Sequence, residues 1–138
     1  MIKSTSERNP RDHSHWRLSM AELIASYLDE DQFGVKAMYL IGSAKNAAAG
    51  PESDIDLLIH FQGTERQREA LLSWLNGWSL CLDEWNRIRT GCRTGGLLDI
   101  HVVTDADIAA KSSYAVRINA ATDPARPLPL RKANSARA

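Results

Sequence analysis

The stretch that decides the fold is Tyr39-Leu40-Ile41-Gly42-Ser43, followed after an alanine-rich segment by Ser53-Asp54-Ile55-Asp56-Leu57-Leu58-Ile59. Two apolar runs read as strands, and a Gly50-Pro51 break precedes the second. Successive side chains of a strand point to opposite faces. Asp54 and Asp56 therefore project from one face, with Ile55, Leu57, Ile59 and Phe61 on the other. Two neighbouring carboxylates repel, and burying them together is unfavourable. A hard divalent cation shared between them relieves this. Gly42 lets a backbone and a phosphate come close. Ser43 is placed to cap a helix over residues 44–49, and the free N–H groups of that helix start suit a phosphate. Lys45 is within reach of the same ligand, although a solvated helix lysine is the plainer reading.

Working outward, residues 16–31 carry Trp16, Met20, Leu23, Ile24 and Leu28 at helical spacing. Residues 35–41 form the first strand, and residues 54–61 the second. Leu58 and His60 share the face of the aspartates, which makes His60 a further candidate contact or a polar strand end. Residues 64–89 read as one long helix or two joined at Asn76-Gly77, opened by a Thr64/Gln67 capping box. Its apolar stripe is Leu71, Leu72, Leu75, Trp78, Leu82 and Trp85, and Trp74, Trp78 and Trp85 read as core or interface residues. Residues 97–103 form a third strand, with Asp99 and His101 on one face and Leu98, Ile100 and Val102 on the other. A carboxylate is disfavoured in such an apolar strand. Residues 105–121 read as helical, with Thr104 or Asp105 as cap.

The Gly42-Ser43 turn with Ser53-Asp54-Ile55-Asp56-Leu57 eleven residues on resembles the signature of nucleotidyltransferases of the DNA polymerase β superfamily. It is most similar to the minimal nucleotidyltransferases, whose pattern is G-S-x-A-R-G, a short gap, then S-D-I-D-L. Lys45, Asn46 and Ala47 stand where that pattern has Ala, Arg and Gly. The resemblance implies an α/β (α+β) fold, a small mixed sheet flanked by helices. It implies that Asp54, Asp56 and Asp99 are catalytic ligands of two Mg²⁺ ions, Asp99 being the residue placed to supply the third carboxylate. Gly42, Ser43, Lys45 and Ser53 would contact an NTP, ATP first among them. The implied reaction moves a nucleoside monophosphate to a hydroxyl acceptor. The departures after Ser43 keep open a second reading, a regulatory nucleotide-binding or interaction module of the same fold. The family also implies a separate helical partner of the HEPN type, or a second copy of the chain.

The 138 residues suit one domain. A division follows into an N-terminal arm (1–15, with His13 and His15 exposed), the domain proper (16–123) and an extended basic, proline-containing tail (124–138). Seventeen basic residues balance seventeen acidic ones, so overall charge gives no argument for a nucleic-acid or membrane surface. The polar N-terminus lacks a signal-peptide core, and a cytoplasmic location is expected. Cys81 and Cys92 have no metal-ligand spacing, and Cys81 is expected to be a buried apolar residue.

Overall fold

The computed structural model describes residues 10–132. Its centre is built by the alternating runs just described. β1 (Val35–Ile41) and β2 (Ile55–Phe61) pair antiparallel, with Met38 opposite Ile59 and Leu40 opposite Leu57. β3 (Leu98–Val103) lies parallel to β2, which sets Asp56 beside Asp99 and Leu58 beside His101. A parallel neighbour needs a long crossover, and α4 (Glu65–Thr90) supplies it. A short strand, β4 (Arg126–Leu128), adds to the free edge of β1, giving the order β3-β2-β1-β4. The mixed sheet with flanking helices is the α/β architecture expected from the sequence.

The helices cover one face of this sheet. α1 (Pro10–Tyr27) contributes Ala21, Ile24 and Ala25, and α4 contributes Leu71, Leu75 and Leu82. They meet Leu40, Ile55, Leu57 and Ile59, all fully buried. Each such aliphatic side chain contributes about 1.5–3 kcal/mol relative to exposure. The other face carries a smaller cluster, in which Ile41, Leu58 and Val103 lie under Ala115 and Ala125. A short α2 (Glu30–Phe33) leads into β1, and α3 (Gly42–Lys45) lies between β1 and β2. α5 (Asp105–Ala109) follows β3.

Several local expectations change. Residues 10–15 are the opening turns of α1 rather than arm, and His13 is buried; residues 1–9 lie outside the described residues. The proline at the start of α1 fits, because the first helical position needs no N–H donor. α4 runs unbroken through Asn76-Gly77, opened by the Thr64–Gln67 capping box. Its buried stripe is Leu71, Leu75, Ser79, Leu82, Asp83 and Asn86, so Leu72, Cys81 and Trp85 are exposed instead of buried. Trp74 and Trp78 are engaged internally, Trp74 against Phe33 at 5.4 Å and Trp78 against Tyr27 at 6.3 Å between ring centroids.

The helix expected over 105–121 shrinks to α5 and a 3₁₀ turn at Ala115–Arg117, with Thr104 capping α5 as expected. Lys111 and Asn119 take positive φ there, which breaks helical continuity. The tail is extended as far as β4, where Pro127 sits on an edge strand, the place in a sheet that tolerates a missing N–H. Residues 133–138 lie outside the described residues.

Candidate active site

The parallel register of β2 and β3 brings distant acids together. Asp56 and Asp99 are side by side, and His101 follows Asp99 on the same face. His101 Nε2 lies 3.3 Å from Asp99 Oδ2 and 3.9 Å from Asp56 Oδ1. One donor atom from each of the three falls within 4.8 Å of the others, a spacing that suits a single cation. Asp54 stands just before β2 and feels the charge of Asp99. Among the described residues, Asp56 and Asp99 thus gather with the imidazole of His101, and Asp54 lies within electrostatic reach of Asp99.

The electrostatics record the crowding. Burial, then hydrogen bonding and like charge from Asp99, push the Asp56 carboxyl up to about 6, with His101 acting in the opposite sense. Burial and then Asp99 also raise Asp54, partly countered by Arg17. Two carboxyls that resist ionising together form a donor set suited to a divalent cation.

The bend after β1 closes on this group. Gly42 has φ +77°, and a Cβ placed on it would collide with Asp56 Oδ2. Glycine is required there twice over, by the left-handed backbone and by the carboxylate against it. α3 begins at Gly42 itself and is only four residues long. Its N-cap position is Ile41, without a side-chain cap bond, so Ser43 is a residue of the first turn and not the cap. Ala47, at the position of the family's glycine, has φ +57°. An alanine in the left-handed region costs about 1 kcal/mol or more relative to glycine, which gives that pattern position a backbone reason.

The remaining sequence candidates are placed differently. Lys45 Nζ is bound by Asp123 Oδ1 at 2.5 Å and by the Pro124 carbonyl at 2.8 Å, so it is held by the tail. Ser53 Oγ accepts from the Gly50 N–H at 2.9 Å and closes the loop before β2. His60 lies at the far end of β2, paired with Asp105 at 2.6 Å, and is not part of the acidic group.

Two residues escaped the sequence reading. Arg17, fully buried on α1, donates from Nε to the Ser53 carbonyl at 2.8 Å and from Nη2 to Pro51 O and Asn86 Oδ1, each at 3.3 Å. Asn86 on α4 donates to the same Pro51 carbonyl at 2.8 Å. Together they clamp the loop that delivers Asp54. Burial first, then Arg89, lowers the Arg17 guanidinium to about 10, and Asp54 works against that shift. No local signal marks this clamp in the sequence, since the loop and α4 groups that Arg17 holds are more than thirty residues away. His101 had a signal, its shared face with Asp99, but no acidic pattern drew attention to it.

A nucleotidyltransferase domain family matches residues 22–90, half of the chain, a span that contains Gly42, Ser43, Asp54 and Asp56. No protein of curated function and no solved structure matches the chain. The matched span stops before β3, whose parallel register sets Asp99 beside Asp56. The chain belongs to the nucleotidyltransferase domain family, as a minimal nucleotidyltransferase of the polymerase β superfamily.

Proposed function

We propose that the chain transfers a nucleoside monophosphate from an NTP, ATP first among them, to a hydroxyl acceptor and releases pyrophosphate. The observation that carries the reading is the meeting of the Gly42 bend with the Asp56 carboxylate. A surface able to receive phosphate thereby adjoins acids able to hold its counter-ions.

In this reading Asp54, Asp56 and Asp99 would hold two Mg²⁺ ions, which would supply charge neutralisation for an in-line displacement at phosphorus. Asp54 and Asp56 orient the triphosphate, and Gly42 and Ser43 receive its β- and γ-phosphates. Asp99 faces the acceptor hydroxyl and accepts its proton, while the hydroxyl oxygen bonds to the α-phosphorus and the bond to pyrophosphate breaks. The clamp of Arg17 and Asn86 keeps Asp54 from drifting, and positioning of this kind carries much of the catalysis. A helical partner or a second copy, seated on the exposed Leu80, Trp85 and Ile88 of α4, completes acceptor recognition.

A second reading, a nucleotide-binding regulatory module, is favoured by the Lys45–Asp123 tie and the left-handed Ala47. Mg²⁺-ATP binding without turnover on any acceptor selects it. The test of the site is Asp54→Ala, expected to abolish Mg²⁺-dependent ATP binding or transfer. Unchanged Mg²⁺ and ATP affinity by calorimetry in that variant defeats the proposal.

A further inference from the structure

The all-carboxylate set of the proposed reaction leaves the imidazole of His101 without a task. It stands two residues after Asp99 on β3, so both side chains leave the same face. Its Nε2 lies 3.3 Å from Asp99 Oδ2 and 3.9 Å from Asp56 Oδ1. Adjacent donors on a cation bound at about 2.1 Å stand about 3 Å apart, and opposite ones about 4.2 Å. The three donors, all within 4.8 Å of one another, are nearly at that spacing already.

The ring is also held in place. Tyr114 stacks on it with centroids 4.0 Å apart and planes 21° from parallel. The side chain is 17% exposed, against 51% for Asp99. A histidine serving only as an ion-pair partner needs one carboxylate, as His60 has in Asp105. His101 instead faces two, and the longer of its two distances is beyond hydrogen-bond reach.

We propose that His101 is a nitrogen ligand of the cation held by Asp56 and Asp99, and that it makes this position prefer Mn²⁺ to Mg²⁺. This rests on the reading that Asp56 and Asp99 hold a cation. Mg²⁺ favours oxygen donors and gives up water reluctantly, whereas Mn²⁺ takes the same carboxylates and, as a first-row transition ion, accepts an imidazole nitrogen more readily than Mg²⁺ does. The other position, served by Asp54, Asp56 and phosphate oxygens, offers no nitrogen and remains suited to Mg²⁺. His101 thus divides an otherwise uniform pair of sites into two of different chemistry.

The test titrates the full chain with MnCl₂ alone and MgCl₂ alone by calorimetry, in the wild type, His101→Ala and Asp99→Ala. Electron spin-echo spectroscopy of the Mn²⁺-loaded wild type accompanies it. The expected result is ¹⁴N modulation from one directly bound imidazole in the wild type. In His101→Ala, Mn²⁺ affinity falls about ten-fold or more, while Mg²⁺ affinity changes less than about two-fold. Absence of ¹⁴N modulation in the wild type overturns the proposal whether or not the variant folds. Equal losses for both ions in His101→Ala overturn the preference. Failure of either ion to bind the wild type, or indifference of binding to Asp99→Ala, removes the underlying site as well and is distinguishable from loss of the nitrogen ligand alone.

Discussion

Along β2, Asp56 and His60 face the same way about 13 Å apart, at 3.3 Å per residue. Each has a histidine–aspartate pairing nearby, and the two ends are electrostatic opposites. At the His60 end, Asp105 sits between His60 at 2.6 Å and Lys36 at 3.5 Å, and these partners, His60 foremost, hold its carboxyl below the usual range. At the Asp56 end, two carboxylates face one imidazole with the charge of Asp54 added nearby, and burial with Asp99 holds Asp56 up at about 6. The same residue types give a balanced surface ion cluster in one place and an unbalanced acidic group in the other. Charge balance, not the presence of histidine and aspartate, distinguishes a structural pairing from a site suited to a cation.

The largest effect is expected from Gly42→Ala, which attacks only the acidic end. The new Cβ must occupy a left-handed backbone position and displace the Asp56 carboxylate. A loss of about 2–3 kcal/mol follows from strain and clash together. Divalent-cation affinity should fall about ten-fold or more, as for other disturbed ligand supports. Urea denaturation and calorimetry read the two quantities separately. A normal cation affinity in the folded variant would dissociate the bend from the site.

A smaller effect sharpens the contrast through pH. Asp56 is held at about 6, above the ordinary carboxyl value, so its proton binds more tightly in the folded chain. Stability from this group is fully present below about pH 4 and is lost as pH rises through about 6. After solvent screening of a half-buried group, the loss by pH 7 is about 1 kcal/mol. Asp54 acts in the same direction. Asp83 acts in the other. Burial raises its carboxyl, but bonds from the Thr94 backbone and hydroxyl and the Gly95 N–H outweigh that and leave it lowered. The clean observable is therefore the difference between wild type and Asp56→Asn in thermal melts from pH 4 to 7 without metal. The variant should gain relative stability as pH rises, and a divalent cation should restore the wild type. A difference independent of pH would mean that the acidic end is already compensated.

Much of this contrast was legible before any coordinates, for physical reasons. β1 is bounded by Gly34 and Gly42, so its limits follow from backbone freedom alone. The capping box of α4 and the alternation of Asp54 and Asp56 are likewise local signals. What joins elements far apart left no such mark. Alternation placed Asp99 on a strand face, whereas its position beside Asp56 depends on the parallel register. Arg17 falls inside an amphipathic helix pattern and acts on residues 51, 53 and 86. β4 was hidden by prolines that argue against a central strand but fit an edge. Ser43 satisfied the composition of an N-cap, but the helix starts two residues earlier than that cap implies because Gly42 itself turns the chain.

The smallest effect is expected at the balanced end, and its smallness carries the comparison. His60→Gln combined with Asp105→Asn removes the ion cluster outright, yet cation affinity and any transfer activity should change less than about two-fold. The separation from Asp56 exceeds the screening length of about 8 Å at physiological ionic strength. Leu58, fully buried, lies between the two ends on that face of β2, and Tyr114 covers His101 beside it. A packed apolar residue transmits charge poorly through rearrangement, since it has no dipole to reorient, but its low dielectric screens less than water does. These two influences oppose each other, and the salt dependence separates them. If affinity in the double variant shifts at about 10 mM salt and not at about 150 mM, the ends communicate through solvent-screened fields. A shift that persists at high salt would show that they communicate through the protein interior, and the two histidine–aspartate pairings would then have to be treated as one extended site.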